Sequence, residues 1–303
     1  SAAILGTFKI IRMTFKENHF PRMLSISVTI GLIGAIYGGG PVSYMCATLG
    51  YKTVIEIFIA LGILLACITY LIVPEIAADA KVDPHESIVS NIKSVLTNSK
   101  VIMLCCFSGL LLGPLEGFSD VWGASFLKQV YGFNATTAGY LPSMIFIGMC
   151  FGAPLLSLIA EKTGDYIGTI VAAGTIMFFV FTALVAGVLT KTGITTGFIL
   201  VGVCCAYQIL AIYKASTYVP ENLAGLTTAV ANMIIMSFGY GFDTIIGYIV
   251  NAYGGTHVTR AFVHGVGVIP VALALGVTGF IFLAYKEKST ALIPIMRLSS
   301  GSH

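Results

Sequence analysis

Apolar stretches of about 20 residues recur along this chain of 303 residues, and each is long enough to cross a hydrocarbon layer roughly 30 Å thick. Eight such stretches are present, at residues 23–47, 53–73, 101–123, 138–160, 167–189, 194–216, 228–250 and 261–285. Charged residues make up only 10% of the chain, against about 25% in soluble domains. The alternating segments typical of a transmembrane barrel do not occur in the sequence. The sequence therefore predicts an all-α integral membrane protein that crosses the bilayer many times.

Basic residues are distributed unevenly between the loops on the two faces of the predicted bundle. If loop 74–100 is cytoplasmic, the cytoplasmic segments hold twelve Lys and Arg residues and the opposite face holds four. This bias follows the positive-inside rule, so we expect loop 74–100 and the C-terminus to be cytoplasmic and the protein to lie in the inner (plasma) membrane. The basic residues form no aromatic-studded patch, so we expect no nucleic-acid partner.

The seven cysteines include two adjacent pairs, Cys105–Cys106 and Cys204–Cys205, within predicted spans. Neighbouring positions on a helix point about 100° apart, so the two members of a pair cannot share a metal ion. We expect these cysteines to be small packing residues, and we predict neither a metal site nor a cofactor.

The longest polar stretch is residues 74–100, with two predicted spans before it and six after it. An amphipathic pattern within it predicts a short helix along the membrane surface, at Ile88, Ile92, Val95 and Leu96. This arrangement resembles the major facilitator superfamily, in which two six-helix bundles are joined by a long cytoplasmic loop. The six later spans look like the C-terminal bundle of that family.

The resemblance implies a division of the chain into four parts. Residues 1–73 would be the end of the fourth helix with the fifth and sixth helices of the N-terminal bundle, and residues 74–100 the inter-bundle loop. Residues 101–288 would be the complete C-terminal bundle, and residues 289–303 a cytoplasmic tail with a tag remnant. Roughly the first three and a half helices of the family's layout are then missing from this sequence.

A short loop between the spans 138–160 and 167–189 strengthens the resemblance. Its sequence, APLLSLIAEKTGDYIG, is similar to the family's cytoplasmic motif Gly-x-Leu-Ala-Asp-Arg-x-Gly-Arg, with Glu161, Lys162 and Gly164 in matching positions. We expect this conformational loop motif to form a tight turn at Gly164, with the two charges near helix ends. An ordinary turn between helices is the alternative.

A glycine-rich stretch in the span 23–47 is similar in part to the antiporter motif of the family's fifth helix. The match is confined to Gly40-Pro41 and the general abundance of glycine. Close helix packing with a kink at Pro41 is the alternative interpretation.

Three acidic residues lie within predicted spans, where an ionised side chain costs on the order of 2.5–3.5 kcal/mol on insertion scales. Glu116 and Asp120 lie in the span 101–123, and Asp243 lies midway along the span 228–250. We predict that these acids face a hydrated cavity and bind protons, with Glu116 the leading candidate. Two alternatives stay open: Asp120 lies at the outer interface, or Asp243 pairs with a basic or amide neighbour.

The resemblance implies that the seventh and eleventh helices, which carry these acids, border a central cavity with the eighth and tenth. Glu116 and Asp120 share one face of a helix. Glycines at 109, 113 and 117 allow another helix to approach closely, and Pro114 should bend or break the span. Candidate substrate-binding residues carry an aromatic ring or an amide: Trp122, Tyr207, Gln208, Tyr213 and Tyr240.

These features favour a secondary active transporter that moves a small organic solute by alternating access, coupled to protons. A non-transporting membrane receptor or scaffold on the same fold is the alternative. The five histidines form neither a metal spacing nor a dyad with a nucleophile, so we do not expect an enzyme. We expect a small-molecule substrate, protons and membrane lipid as partners, and a monomer.

Overall fold

The computed structural model describes residues 20–72 and 88–299, which form helices joined by short turns with no strand among them. In chain order these helices are α1 Phe20–Leu49, α2 Tyr51–Ile72, α3 Ile88–Thr97, α4 Ser99–Gly117, α5 Gly123–Tyr131, α6 Ala135–Tyr140, α7 Ser143–Thr163, α8 Tyr166–Val185, α9 Lys191–Cys205, α10 Tyr207–Ser216, α11 Glu221–Ala252, α12 Thr259–Val266 and α13 Val268–Ser299. The predicted all-α membrane bundle is confirmed.

Seven helical segments of the described chain are long and apolar enough to cross a membrane: Tyr51–Ile72, Ser99–Tyr131, Ala135–Thr163, Tyr166–Val185, Lys191–Ser216, Leu223–Ala252 and Thr259–Glu287. They correspond to seven of the eight predicted spans. The first predicted span, 23–47, lies inside α1, which has 30 residues and contains Pro41. Most of the predicted polar loop, residues 73–87, lies outside the described residues, as do the chain ends 1–19 and 300–303.

The short amphipathic helix predicted before the six-span region is present as α3, and its Val95 is fully buried. Asn98 caps the start of α4, because its side-chain oxygen accepts from the backbone N–H groups of Lys100 and Val101. This cap fixes the start of the helix that carries the predicted glycines and Glu116.

Several spans are interrupted where the chain crosses the bilayer. A five-residue π-helical turn, Phe118–Trp122, separates α4 from α5. The chain also breaks at Ala206 between α9 and α10, and at Gly267 between α12 and α13. Pro114 was predicted to bend or break its span, and the helix does not break there, since α4 continues through that proline to Gly117. Pro114 removes one backbone N–H at its own position, while the distortion forms in the turn that follows.

The bundle is organised around two close helix pairs, α4 with α11 and α7 with α9. The helix α13 packs on both α8 and α4, and α1 packs on α7. Phe118, fully buried in the π-helical turn, meets three other rings edge-on, those of Phe126, Phe181 and Phe198. The predicted packing role of the cysteines is confirmed for Cys105, Cys204 and Cys205, which are buried in this core.

Candidate functional site

The predicted glycine ladder forms the contact surface between α4 and α11. A Cβ atom at Gly109 would lie 2.4 Å from the ring of Phe238, and one at Gly113 would lie 2.6 Å from the Cβ of the same residue. A side-chain Cβ does not come this close to a carbon atom to which it is not bonded, so only glycine at these positions lets α4 and α11 approach so closely. The ladder therefore determines how closely the acid-bearing parts of α4 and α11 meet.

Two of the predicted acids lie in this contact, one on each helix. A Cβ atom at Gly117 would lie 2.9 Å from Oδ1 of Asp243, and one at Gly239 would lie 2.8 Å from Oε2 of Glu116. Each carboxylate therefore rests against a glycine of the opposite helix. Glu116 and Asp243 are both half-buried, and Oδ1 of Asp243 is buried without a hydrogen-bond partner.

The third acid, Asp120, lies in the π-helical turn and is exposed. The hydroxyl of Ser119 donates to Oδ1 of Asp120 at 3.4 Å and to the carbonyl of Glu116 at 3.2 Å. The charges of Asp120 and Asp243 both act on Glu116. We call Glu116, Asp120 and Asp243 the carboxylate cluster.

The carboxylate cluster has no basic partner in the part of the chain that the structure describes. Lys214 forms an ion pair at 3.3 Å with Glu287, which is not a member of the cluster. Within residues 20–72 and 88–299, the cluster does not converge tightly enough to hold a metal ion. Uncompensated carboxylates inside an apolar bundle are costly when ionised, so they are suited to binding a proton or meeting a cationic group.

The aromatic candidates occupy different environments. Trp122 is half-buried, and its Nε1–H donates to the carbonyl of Asp243 at 3.1 Å. Tyr240 is 78% exposed on α11. Tyr213 is exposed and its ring lies 5.2 Å from that of Tyr166, near the loop motif. Tyr207 is fully buried, with its hydroxyl donating to the carbonyl of Ser108 at 2.7 Å. The structure thus places Tyr207 in the core, where its hydroxyl is already bonded.

Gln208, the amide candidate, has a partner that the sequence reasoning missed. Its Nε2 atom donates to Oδ1 of Asn232 on α11 at 3.3 Å, and both residues are half-buried. Asn232 lies seven residues before Gly239 and eleven before Asp243, a spacing that puts all three on one face of the helix. That spacing was visible in the sequence and could have identified Asn232.

The loop motif forms the predicted tight turn. Gly164 ends α7 with φ of 67°, a left-handed conformation that favours glycine. Lys162 lies in the last turn of α7, where a cation complements the helix dipole. The residue that caps the start of α8 is Asp165, whose Oδ1 accepts from the N–H of Gly168 at 2.8 Å. Glu161 is exposed, and the acidic residue that caps a helix in this loop is Asp165, at the start of α8.

A polar cluster beside the loop motif joins the ends of three spans. Tyr218, between α10 and α11, donates its hydroxyl to Glu287, which also pairs with Lys214. The carbonyl of Tyr218 accepts from Nδ2 of Asn98 at 3.0 Å. Burial, then the hydrogen bond to Glu287 and its charge, raise the pKa of the Tyr218 phenol well above its usual range. We call Tyr218, Glu287, Lys214 and Asn98 the Tyr218 cluster. A cavity of about 110 Å³ adjoins it.

A larger cavity, of about 370 Å³, lies between α8 and α13. Its two hydroxyl groups, on Thr182 and Thr278, each donate to a carbonyl of their own helix at 2.7 Å. The remaining lining residues are apolar. This cavity offers no free polar group, so the carboxylate cluster is the better candidate for a functional site.

Comparison with known proteins gives one family. A family model described as Major Facilitator Superfamily matches residues 1–242 of the 303-residue chain. No curated protein matches the chain.

Proposed function

The chain belongs to the Major Facilitator Superfamily, a family of membrane transporters, and from this premise we propose that it is a secondary active transporter coupled to protons. In this proposal the protein moves a small organic solute by alternating access. The carboxylate cluster loads and releases the proton, with Glu116 as the leading carrier, Asp243 second and Asp120 third.

The observation that carries the proposal is the unpaired carboxylate cluster at the contact of α4 and α11. Glu116 and Asp243 are held half-buried against glycines of the opposite helix, and no Lys or Arg of the described chain pairs with them. A carboxylate in such a place gains from binding a proton, because protonation removes the cost of an uncompensated charge. Proton uptake and release would then shift the balance between conformations that open to either side of the membrane.

The solute would be held beside the carboxylate cluster, next to the residues of α10 and α11 that carry amide groups and an exposed aromatic ring. Tyr240 and Asp120 are exposed there, and Gln208 and Asn232 add amide groups that donate and accept hydrogen bonds. Trp122, Tyr207 and Tyr213 remain predicted contacts, although the hydroxyl of Tyr207 is occupied in the core. The remaining half of the site would come from the N-terminal bundle, as the family's two-bundle layout implies.

The interruptions within the spans are compatible with the conformational change that alternating access requires. The π-helical turn carries Asp120, and the break between α9 and α10 lies two residues before Gln208. Turns of this kind occur often at functional sites, and discontinuous helices commonly form the binding sites of transporters.

The test begins by finding the solute. A thermal-shift screen of the purified protein against amino acids, sugars, organic acids and nucleosides identifies a ligand, whose uptake into proteoliposomes is then driven by a pH gradient. We expect Glu116→Gln to abolish gradient-driven uptake while ligand binding stays measurable. Glu56→Gln makes the same chemical change at an exposed acid of α2 and should transport normally. Normal coupling in the Glu116 variant would remove that residue from the mechanism, and binding without flux in the wild type would favour a receptor.

A further inference from the structure

The indole ring of Trp122 joins the π-helical turn to α11 through two separate contacts. Its Nε1–H donates to the backbone carbonyl of Asp243 at 3.1 Å. Its six-membered ring lies on the backbone at Gly247, where a Cβ atom would come within 2.9 Å of Cζ2. A third contact, edge-on at 6.3 Å between centroids, reaches Phe262 of α12. The ring is therefore attached to α11 at the residue that carries a carboxylate and again one turn later.

The hydrogen bond uses a spare acceptor and leaves α11 intact. In a regular helix the carbonyl of Asp243 accepts from the N–H four residues later, which belongs to Gly247. A carbonyl oxygen has a second lone pair, and the indole N–H occupies it. Because an indole has a single polar group, this bond leaves none for a solute.

The π-helical turn is held at two places. At one, the N–H of Gly123 closes the turn onto the carbonyl of Phe118, where a Cβ atom at position 123 would lie 2.6 Å from that oxygen. The other is the indole itself. Asp120 belongs to the turn itself, and Glu116 lies two residues before it, at the end of α4. A rotation of the turn therefore moves Asp120 relative to Asp243 and disturbs Glu116 through the last residues of α4.

We propose that Trp122 is a positioning residue that fixes the π-helical turn against α11 and thereby keeps Glu116 and Asp120 beside Asp243. The inference rests on the proposed proton coupling, since it assigns Trp122 a part in forming the group that binds the proton. Trp122 acts through the carboxylates and does not contact the solute with its N–H.

Other titratable groups on the elements packed around the cluster are few among the described residues. On α9 and α10, Cys205 and Tyr207 interact electrostatically with Glu116. Next to Trp122, α5 carries Lys128, and α12 carries Arg260 and His264. The ring of His264 stacks on Tyr253 at 4.4 Å, and its Nδ1 lies 2.7 Å from the carbonyl of Arg260. None of these basic groups forms an ion pair with the cluster in the described chain.

The test uses protons as the only ligand and needs no solute. The protein in lipid nanodiscs is titrated with acid while infrared absorption follows its protonated carboxyl groups. At position 122, tryptophan is replaced by 3-benzothienylalanine, an isostere in which sulfur takes the place of the N–H. We expect the midpoint of the carboxyl signal to move by about threefold or more in proton concentration, the effect of losing one hydrogen bond. The analogue 5-fluorotryptophan, which keeps the N–H, should restore the wild-type profile.

Trp122 also provides an internal signal, because it is the one tryptophan among the 303 residues. We expect its fluorescence to respond to the same titration in the wild type and in Glu56→Gln, and to lose that response in Asp243→Asn. This fluorescence titration tests the role of Trp122 even if the protein with the isostere does not fold. An unchanged response in Asp243→Asn would overturn the assignment of Trp122.

The inference and the proposed function fail in different ways. If the wild type shows no carboxyl signal that Glu116→Gln removes, the proton coupling is wrong and Trp122 has no cluster to position. If that signal is present but the isostere leaves its midpoint unchanged, the coupling stands and the positioning role of Trp122 is wrong.

Discussion

Asp243 lies so close to Gly117 that a Cβ atom at position 117 would come within 2.9 Å of its Oδ1 and 3.3 Å of its backbone nitrogen. The same relationship holds in reverse between Glu116 and Gly239. Each helix thus supplies one acid and the glycine that receives the other helix's acid. Close helix packing and the carboxylate cluster are therefore one feature of the molecule, and changes to the glycines should affect both.

Gly117→Ala tests the contact at the acid itself. The new methyl group meets mainly the end of a flexible side chain, so we expect the Asp243 carboxylate to turn away while the helices stay in place. The free energy of unfolding in detergent should change little, by about 1 kcal/mol or less, because the gain from alanine within a helix offsets part of the crowding. Gradient-driven uptake should fall strongly. A variant that transports normally would show that the position of this carboxylate does not matter.

Gly113→Ala tests the helix contact without touching an acid. Its methyl group would meet the Cβ, carbonyl carbon and carbonyl oxygen of Phe238 at 2.6 to 2.9 Å. Backbone cannot swing aside as a side chain does, so we expect the two helices to separate, at a cost of about 1–3 kcal/mol or more. Thermal unfolding measures the loss. Gly62→Ala is the matched control, because position 62 on α2 has nothing within 4 Å, and it should be neutral or slightly stabilising.

The sequence was sufficient to predict the spans and one side of the helix contact. Seven spans follow from the length and composition of their apolar runs, which depend on local sequence alone. The four-residue spacing of Gly109, Gly113 and Gly117 likewise predicts a surface that another helix can approach. The partner of that surface, Phe238, lies more than a hundred residues away, and one sequence contains no signal that joins the two.

The details missed from the sequence depend on tertiary packing. Pro114 was expected to bend or break its helix, yet the helix continues through it and is interrupted only at Phe118–Trp122. There the N–H of Gly123 closes the wider turn onto the carbonyl of Phe118, and Trp122 bonds to α11. Tyr207 was predicted to contact the solute because it carries an aromatic ring within a span, and the structure places that ring in the core, with its hydroxyl bonded to the carbonyl of Ser108. For an aromatic residue in an apolar span, the sequence alone does not distinguish a position in the packed core from one in a binding cavity.

Tyr218→Phe tests the Tyr218 cluster. The change removes the hydrogen bond to Glu287 but keeps the Lys214–Glu287 ion pair, which is about three quarters buried at its two side chains, 23% and 26% exposed. We expect a loss of about 1–3 kcal/mol in stability at neutral pH, since the acceptor is charged. Thermal unfolding of the two proteins side by side measures it.

The same variant has a defined pH dependence. The pKa of the Tyr218 phenol is raised in the folded protein, so its contribution is complete below the usual tyrosine pKa of about 10 and is lost as the pH rises above that value. The stability difference between the wild type and Tyr218→Phe should accordingly be constant from pH 7 to 9 and shrink above pH 10. A difference that grows with pH would contradict the hydrogen bond as the source of stability.

Asp243→Asn tests whether the carboxylate cluster lowers the stability of the fold while serving proton transport. Oδ1 of Asp243 is buried without a hydrogen-bond partner, and its charge acts on both Glu116 and Asp120. An amide of the same shape removes one of three like charges, so we expect the variant to be more stable than the wild type, by on the order of 1 kcal/mol. Proton-driven uptake should be lost at the same time, in keeping with a site where activity is gained at the expense of stability.

Thermal unfolding at neutral pH measures the change in stability, with Glu56→Gln as the control that should change neither stability nor uptake. A less stable Asp243→Asn protein would mean that the ionised carboxylate has a favourable partner, and the cluster would then be a structural element instead of a proton site.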